Sequence, residues 1–558
     1  MATLLTPKRS AIFSFALILF YFCTFLAPHC LPASQGSANS SFRIAGNVVN
    51  SITGAPLAKA RISLMDTANR ANILFVITGD DGHFEFYSLK RGKYSLEGAK
   101  RGFIRAAYEQ HEQFSTAIVT GADFNTENLT LRLTPLAFVS GKVFDEVGEP
   151  VRKATVTLYM EDHQGGLKRI VPAGSDMSDD EGYFEFAALA PGKYFVSASA
   201  KPWYAIHLPP SMSRNGISSA GAALPLDVAY PATFNNGATD SQAATPFPLQ
   251  AGDHLQVDVH LSPVPVVHLT FRVPEDQQQN GFQTPLLQKR VFDTVEYLTD
   301  QSAQTIAPGV YELGGVPAGK YSVVLQDPQS GRPQQSSQIT LDKDGQEFDA
   351  SHGDPTASVK ISVKMPRQAP DSQQLNVALQ DSAMQVVGYS PLDATGEATF
   401  SNIPAGKYAL VAFAPDKRYS VVRSVSSGVE TSGHLLTVAP GSSLSVTAFL
   451  AIGMVAVEGF AKRGGKPSSG VMVALVPKDP QLHLDMFRRD QSDSDGSFVL
   501  RGVIPGTYTL IAVEDAWGFQ WLQPDVLNRY LQHGQNLTIG DLMTSTVHLP
   551  DPVEVQPH

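Results

Sequence analysis

Cysteine is nearly absent from this chain of 558 residues. Its two cysteines, Cys23 and Cys30, both lie within the first 30 positions. A chain cleaved after that point contains no disulfide, no redox pair and no cysteine nucleophile. Each domain of such a chain must be stabilised by the packing of its own apolar core.

Clusters of basic residues are also missing. The sequence has 42 Lys and Arg against 53 Asp and Glu, a formal net charge of −11. Nucleic acids and anionic membrane surfaces are bound chiefly through concentrated Lys and Arg, so this diffuse negative charge argues against both as partners.

The familiar catalytic motifs are missing too. None of the 14 histidines begins an HxxE or HExxH motif, so the ligands of a zinc peptidase are not encoded. GxSxG, GxxxxGK[ST] and GxGxxG do not occur either. We therefore predict a protein that is not an enzyme and that has no cofactor and no metal site.

One long apolar run is present, at the amino terminus. Lys8 and Arg9 precede apolar residues 11–28, and small residues follow. This order is typical of a signal peptide, which we place at residues 1–34 with cleavage between Ala33 and Ala38. The prediction is export to the periplasm, the cell surface or the medium. The alternative is an uncleaved anchor, which would make this segment the point of membrane contact.

Five segments of the chain share one pattern. They read DDGHFEFYSLKRGKY, DEGYFEFAALAPGKY, APGVYELGGVPAGKY, ATGEATFSNIPAGKY and DSDGSFVLRGVIPGTY. In each, two glycines lie ten residues apart and a tyrosine follows two residues after the second. These positions are Gly82, Gly92 and Tyr94; Gly182, Gly192 and Tyr194; Gly309, Gly319 and Tyr321; Gly396, Gly406 and Tyr408; and Gly496, Gly506 and Tyr508.

The apolar residues inside the pattern alternate. Phe84 and Phe86, for example, lie two apart, which places both on one face of a strand. Each repeat thus predicts a strand, a Gly/Pro turn and a second strand. Both glycines are expected to adopt a positive φ at the turns. The lysines before four of the tyrosines, Lys93 among them, are expected to be solvated turn residues.

Acidic residues precede the first glycine in three repeats, as in Asp80-Asp81-Gly82. The ligand spacing of an EF-hand requires a glutamate six residues after the glycine, and the last repeat has Gly502 there. We therefore interpret these aspartates as turn residues whose side chains bond to the backbone.

Further alternating runs surround each hairpin and predict an all-β fold. We expect a tandem array of about five antiparallel β-sandwich domains after the signal peptide. The predicted segments, numbered 1 to 5, are residues 42–136, 137–264, 265–353, 354–452 and 453–558, and segment 2 carries a long loop at 201–245. The one predicted helix is Asp525 to His533.

The pattern in segments 1 and 2, GxV, GxPL, AxVxL and DDxGxFxFxxLxPGxYxL, resembles the carboxypeptidase regulatory-like domain. The resemblance is strong in segments 1, 2 and 5, although segment 5 has a looser version of the upstream part, and it is limited to the hairpin in segments 3 and 4. It implies a seven-strand transthyretin-like sandwich, related to carbohydrate-binding folds and Ig-like in its layers, without catalytic activity. It implies no particular substrate.

Two groups of aromatic residues are candidate ligand sites. Trp203 and Tyr204 open the long loop, and Trp517, Phe519 and Trp521 alternate near the carboxyl terminus. Indole faces outside a core can stack on sugar rings. The alternative is that the second group seals the last sandwich against the predicted helix.

The leading functional hypothesis is a non-catalytic binding or structural protein of the cell envelope. One alternative is a carbohydrate-binding protein that uses the aromatic residues, and another is an accessory subunit of an envelope peptidase or transporter. The partner is accordingly a glycan or an envelope protein, and the oligomeric state is left open.

Overall fold

The computed structural model describes residues 41–558 with several gaps. The gaps are 122, 164–165, 208–225, 273–284, 299–300, 327–332, 350–355, 366–374, 383–384, 415–416, 427–428, 432, 519, 542 and 544. The predicted signal peptide, Cys23, Cys30 and Phe519 lie outside the described residues. No helix in the described part of the chain is long and apolar enough to cross a membrane.

Segments 1 and 2 are built from short strands with alternating buried and exposed side chains. Segment 1 holds β1 Phe42–Asn50, β2 Arg61–Asp66, β3 Ile73–Ile77, β4 His83–Leu89, β5 Gly92–Ala99, β6 Ala106–Ala107, β7 Ile118–Thr120 and β8 Leu129–Leu133. Segment 2 holds β9 Ala137–Phe144, β10 Thr155–Asp162, β11 Arg169–Met177, β12 Tyr183–Leu189, β13 Gly192–Ser199, β14 Val228–Ala229, β15 Thr233–Phe234, β16 Phe247–Leu249, β17 His254–Gln256 and β18 Val259–His260.

Segments 3 and 4 have the same construction. Segment 3 holds β19 Val264–Arg272, whose first residue lies at the predicted boundary, β20 Leu286–Val291, β21 Thr294–Tyr297, β22 Ser302–Ala307, β23 Val310–Pro317, β24 Gly319–Gln326, β25 Pro333–Leu341 and β26 Gln346–Asp349. Segment 4 holds β27 Ala357–Lys364, β28 Asn376–Gln380, β29 Val386–Pro391, β30 Glu397–Ile403, β31 Gly406–Ala414, β32 Lys417–Ser426, β33 Val429–Thr431, β34 Leu435–Val438 and β35 Ser443–Ile452.

Segment 5 adds a helix to its strands. It holds β36 Val455–Arg463, β37 Lys466–Pro467, β38 Met472–Pro477, β39 Arg488–Gln491, β40 Ser497–Val503, β41 Gly506–Val513, α1 Pro524–Leu531, β42 Gln535–Ile539, β43 Val547–His548 and β44 Val553–Gln556. The predicted helix is confirmed, and it begins one residue earlier and ends two residues earlier than expected. A proline at its first turn suits a position whose N–H has no partner within the helix.

The all-β fold is confirmed, but its sheets are not purely antiparallel. In segment 1, β1 pairs antiparallel with β4 and parallel with β8, and the second sheet has the order β3-β2-β5-β6. The first strand of every other segment likewise has at least one antiparallel and at least one parallel neighbour. A parallel neighbour requires the chain to cross to the other sheet and return, which is how each sandwich closes.

Five clusters of buried apolar side chains fall one within each predicted segment. The alternating residues of the hairpins supply them: Phe84, Phe184, Leu313, Phe400 and Phe498 are all at most 4% exposed. The exact boundaries between segments stay a prediction.

The repeated tyrosine has the same role in all five copies. Its ring is buried, and its hydroxyl donates to the backbone carbonyl four residues earlier, over 2.5 to 3.0 Å. The pairs are Tyr94 to Lys90, Tyr194 to Ala190, Tyr321 to Pro317, Tyr408 to Pro404 and Tyr508 to Ile504. The hydroxyl thereby satisfies a carbonyl at the turn while the ring fills the core.

The two repeated glycines differ in role, which corrects part of the prediction. The first glycine has a positive φ in every copy, for example 71° at Gly82 and 78° at Gly496. The second glycine does not have a positive φ in any of the five copies. A Cβ atom on Gly319 would instead lie 3.3 Å from the ring of Tyr321, so this glycine makes room for the tyrosine.

A further repeated feature lies four residues before the second glycine, where the backbone is left-handed. The φ angles are 56° at Ser88, 61° at Ala188, 80° at Gly315, 62° at Asn402 and 64° at Gly502. Since only two of the five are glycine, residue identity alone does not reveal this feature.

Replacement of the exposed Ala188 by glycine tests the cost of this conformation. Ala188→Gly should stabilise segment 2 by about 0.5–1 kcal/mol, because the left-handed penalty of about 1–2 kcal/mol exceeds the entropic cost of glycine. Denaturant unfolding of the full chain measures the effect, and Gly502→Ala at the equivalent position should have the opposite sign. No change in either variant would contradict this account.

Candidate functional site

The first aromatic group is open to solvent. The Trp203 side chain is 87% exposed and meets the Tyr204 ring edge-on, with 5.7 Å between centroids. The Tyr204 hydroxyl donates to Glu146, which also accepts a 2.6 Å bond from Tyr230. An exposed indole with an anchored neighbour is therefore available to a ligand.

The two tryptophans of the second aromatic group are buried, so they form no exposed platform and instead fit the alternative, a cover of the last sandwich against the helix. Trp517 is 8% exposed and Trp521 is 3% exposed. His111 of segment 1 stacks on Trp517 with centroids 5.4 Å apart, and the indole N–H donates to the Gly470 carbonyl at 3.2 Å. Neither indole offers an open face, because side chains of segments 1 and 2 pack against this end of the last sandwich.

A buried ion pair lies beside these rings. The guanidinium of Arg489 in β39 makes two hydrogen bonds to the Glu112 carboxylate, of 2.9 and 3.2 Å. The two side chains are only 10% and 9% exposed. Arg489 also lies 4.6 Å from the centroid of the Trp521 ring. We call this contact of segments 1 and 5 the terminal seam.

The terminal seam also includes an ion pair and hydrogen bonds to the backbone. The Lys93 ammonium lies 2.6 Å from the Asp493 carboxylate, whose other oxygen accepts the Ala117 N–H at 3.0 Å. The Ser494 N–H donates to the Ala117 carbonyl at 3.0 Å, and the Ser494 hydroxyl accepts the Val119 N–H at 2.8 Å. Lys93 is therefore an ion-pair partner of segment 5, although the sequence suggested a solvated turn residue.

Segment 2 also contacts this end of segment 5. The Leu522 N–H donates to the Gly166 carbonyl at 3.0 Å. Gly166 has φ of 77°, and a Cβ atom there would lie 2.4 Å from the Trp521 ring. Only glycine permits this approach, so the indole is enclosed from two segments.

The terminal seam should respond to pH through Asp490. Burial raises the pKa of Asp490 to about 6, with Asp493 acting in the same direction and Lys93 and two backbone N–H groups opposing it. A carboxyl whose pKa is higher in the folded chain takes up its proton there first, so folding is favoured as pH falls through 6. The resulting gain in folding stability is complete once the pH is below about 3.9, the pKa of an aspartate in the unfolded chain.

We therefore expect the stability difference between the natural chain and Asp490→Asn to depend on pH. The natural chain should gain in melting temperature relative to the variant between pH 7 and pH 5, as measured by calorimetry. A difference that is constant across this range would contradict the raised pKa.

An aromatic knob joins segments 2 and 3. Phe292, at the turn between β20 and β21, inserts among Tyr159, Phe195 and Phe234 of segment 2, with centroid distances of 4.7 to 5.4 Å. Its φ of 52° is held in place by this packing. The contact fixes the third sandwich on the outer face of the second.

A cavity of about 520 Å³ lies beside this knob, between segments 2 and 3. Pro202 and Tyr230 line it from segment 2, and Tyr297 and Tyr321 line it from segment 3. The wall residue Pro202 directly precedes the exposed Trp203. The cavity thus combines aromatic surfaces with a nearby indole, which is the usual make-up of a binding pocket.

The charged side chains of the cavity are of both signs, Lys201 and Lys289 against Glu296 and Asp342. Burial lowers the pKa of Lys289, whose ammonium donates to the Thr239 carbonyl at 2.9 Å. Burial raises the pKa of Glu296, which accepts a hydrogen bond from the Tyr159 hydroxyl. The balanced charges suit a neutral, hydroxyl-rich ligand better than a strongly charged one.

The predicted long loop is only partly a loop. Within 201–245, β14 pairs with β19 of segment 3 and β15 pairs with β13 of segment 2. These short strands escaped prediction because two paired residues give no alternating pattern. They bring the walls of the cavity together.

The aspartates before the first glycines bond to the backbone of their turns. Asp81 accepts the His83 N–H at 3.0 Å, and Asp179 accepts the Glu181 and Tyr183 N–H groups at 2.8 and 2.9 Å. The interpretation as turn residues is confirmed for these two and for Asp495, which accepts the Ser497 N–H at 3.0 Å. The Asp493 carboxylate instead contacts segment 1 in the terminal seam.

No family model matches the sequence. The serine-aspartate repeat-containing protein F of Staphylococcus epidermidis is 21% identical over 320 residues, which cover 52% of this chain. The match spans 18% of the length of that relative.

Among solved structures, the chain is similar to a streptococcal ancillary pilin, with 14% identity and a TM-score of 0.18. That match covers 51% of this chain and 100% of the pilin. It is also similar to BcpA, the major pilin subunit of Bacillus cereus, with 10% identity, a TM-score of 0.14, and coverage of 73% of this chain and 99% of that chain.

Proposed function

We propose that this chain is a non-catalytic exported protein of the cell envelope that serves as a rigid binding or structural module. The observation that carries this proposal is the way its sandwiches are joined. The Phe292 knob and the Arg489–Glu112 pair are buried contacts between segments rather than flexible linkers. Such contacts hold binding surfaces in fixed relation to one another, as a scaffold or adhesive protein requires.

Export is supported by the sequence. The basic and apolar amino terminus is typical of a signal peptide, and no cysteine follows residue 30. The resemblance of the hairpin repeats to carboxypeptidase regulatory-like domains also suits an exported, non-catalytic module.

Mass spectrometry of the native protein, isolated from cell fractions, tests export. We expect the protein in the envelope or the medium, with an amino terminus between residues 34 and 39. Recovery from the cytosol with residues 1–34 retained would overturn the proposal. Hydrolase activity of the purified chain would overturn its non-catalytic part.

Carbohydrate binding is a second candidate function, favoured by the cavity and the exposed indole. The exposed Trp203 can stack on a sugar ring. Tyr230, Tyr297 and Tyr321 line the neighbouring cavity, whose wall includes Pro202. Aromatic faces with a few polar groups are suited to sugar rings and hydroxyls.

A glycan array with the full chain tests this candidate. Trp203→Ala and Tyr297→Ala should each weaken the binding of a captured glycan at least tenfold. Tyr389→Ala serves as the matched control, because Tyr389 is 54% exposed but lies in segment 4. Equal binding by all variants, or binding of no glycan, would exclude this function.

A further inference from the structure

Two histidines and an aspartate meet where segments 4 and 5 come together. One ligand atom each from His434, His483 and Asp485 lies within 4.8 Å of the other two. His434 directly precedes β34 of segment 4, whereas His483 and Asp485 lie between β38 and β39 of segment 5. The cluster therefore joins residues about 50 positions apart in the sequence.

Each of the three side chains carries a buried polar atom without a partner. These atoms are Nδ1 of His434, Nδ1 of His483 and Oδ1 of Asp485, and none has a hydrogen-bond partner in the described part of the chain. His434 is only 8% exposed. Buried polar atoms are nearly always paired in folded proteins, so three orphans in one place need a common partner.

The surrounding residues fix the orientation of this cluster. The buried hydroxyl of Ser420 donates to the second oxygen of Asp485. The carbonyl of His434 accepts the Leu410 N–H at 2.8 Å, and the short 3₁₀ turn Leu484–Met486 follows directly after His483. Metal-binding carboxylates are typically held by such supporting hydrogen bonds.

We propose that His434, His483 and Asp485 bind one divalent transition-metal ion that connects segments 4 and 5. Imidazole and carboxylate ligands suit Zn²⁺, at bond lengths of about 2.0–2.2 Å. Tetrahedral bonds of that length place ligand atoms roughly 3.4 Å apart, so small side-chain movements bring the cluster to this geometry. Three protein ligands leave a fourth position for water or an added ligand.

No sequence motif marks this site, and the prediction from the sequence was that the chain has no metal site. The three ligands follow none of the usual spacings, since His434 lies in a different segment from the other two. Only the contact of the two sandwiches assembles the set.

Zn²⁺ titration of the purified, metal-stripped chain tests the proposal. Calorimetry and native mass spectrometry should show one saturable ion per chain, and Zn²⁺ should raise the melting temperature. Co²⁺ at the same site should give the visible d–d absorption of a low-symmetry complex. His483→Ala and Asp485→Asn should each weaken binding at least tenfold, since even changes around metal ligands cost about 10–100-fold.

His533→Ala provides the control, because His533 is exposed and lies outside the cluster. It should bind Zn²⁺ as the natural chain does. The proposal is overturned if the natural chain shows no saturable site, or if correctly folded His483→Ala and Asp485→Asn bind as tightly as the control. The second result would place the ion at ligands outside the cluster.

Discussion

Trp521→Ala should destabilise segment 5 by about 3–5 kcal/mol, the usual cost of removing a large buried aromatic side chain. Trp521 is 3% exposed. The guanidinium of Arg489 in the same segment lies over its ring, and Gly166 of segment 2 contacts the ring. The truncation leaves a cavity that three contacting segments border, so it should also loosen the terminal seam.

Trp203→Ala is the matched control for this truncation. Trp203 is 87% exposed, so its removal should leave the melting temperature unchanged. Calorimetry and hydrogen exchange of the full chain measure both variants. If Trp521→Ala were as stable as Trp203→Ala, the indole would not be buried as the structure places it.

Arg489→Ala should be about as damaging, at about 3–5 kcal/mol, because it leaves the Glu112 carboxylate buried and without its partner. The pair is joined by two hydrogen bonds and both side chains are at most 10% exposed. Faster hydrogen exchange should appear in both segment 1 and segment 5, since the pair connects them.

The control here is Arg463→Ala. Arg463 pairs with Glu514 on the surface of segment 5, where the side chains are 46% and 38% exposed. Exposed ion pairs contribute little to folding stability, so Arg463→Ala should leave the melting temperature unchanged. A loss confined to one segment in Arg489→Ala, or equal effects in the two variants, would contradict the role of the buried pair.

The two large effects should not add. Arg489 lies 4.6 Å from the Trp521 ring centroid, and residues this close share packing and solvation. The double variant Arg489→Ala, Trp521→Ala should therefore lose less stability than the two single losses combined. A double-mutant cycle gives this difference directly.

The hairpin repeats show what the sequence could predict. Alternation such as Phe84 and Phe86 fixes which face of a strand is buried, and both side chains are indeed buried. This information is local, because a period of two residues is set by strand geometry alone. The helix near the carboxyl terminus was predictable from other local signals, namely apolar residues at helical spacing and a terminating glycine at Gly534.

The contacts between segments could not be predicted in this way. Glu112 and Arg489 lie 377 positions apart, and neither belongs to the repeat. The alternating indoles of Trp517 and Trp521 are compatible with an exposed platform and with a buried cover, and the sequence left both open. What decides between them is contact with other segments, since His111 of segment 1 covers Trp517 and Gly166 of segment 2 lies against Trp521. Neither of these two residues belongs to a sequence pattern.

The cavity between segments 2 and 3 could not be predicted from the sequence either. Its walls come from two segments and from short strands such as β14, which pairs over two residues. Burial of Lys289 and Glu296 arises only once segments 2 and 3 are in contact. Trp203 is conspicuous in the sequence because it lies at the start of a stretch rich in Gly and Ser, whereas no residue pattern marks the cavity beside it.

Zero-length carbodiimide cross-linking of the full chain tests most directly whether segments 1 and 5 pack together. The Lys93 ammonium and the Asp493 carboxylate are 2.6 Å apart, so activation of the carboxylate should join them as an amide. Lys360 and Glu397, 2.8 Å apart within segment 4, provide the internal standard. We predict that peptide mass spectrometry recovers both cross-links from the monomer; recovery of the Lys360–Glu397 link without the Lys93–Asp493 link would contradict the terminal seam.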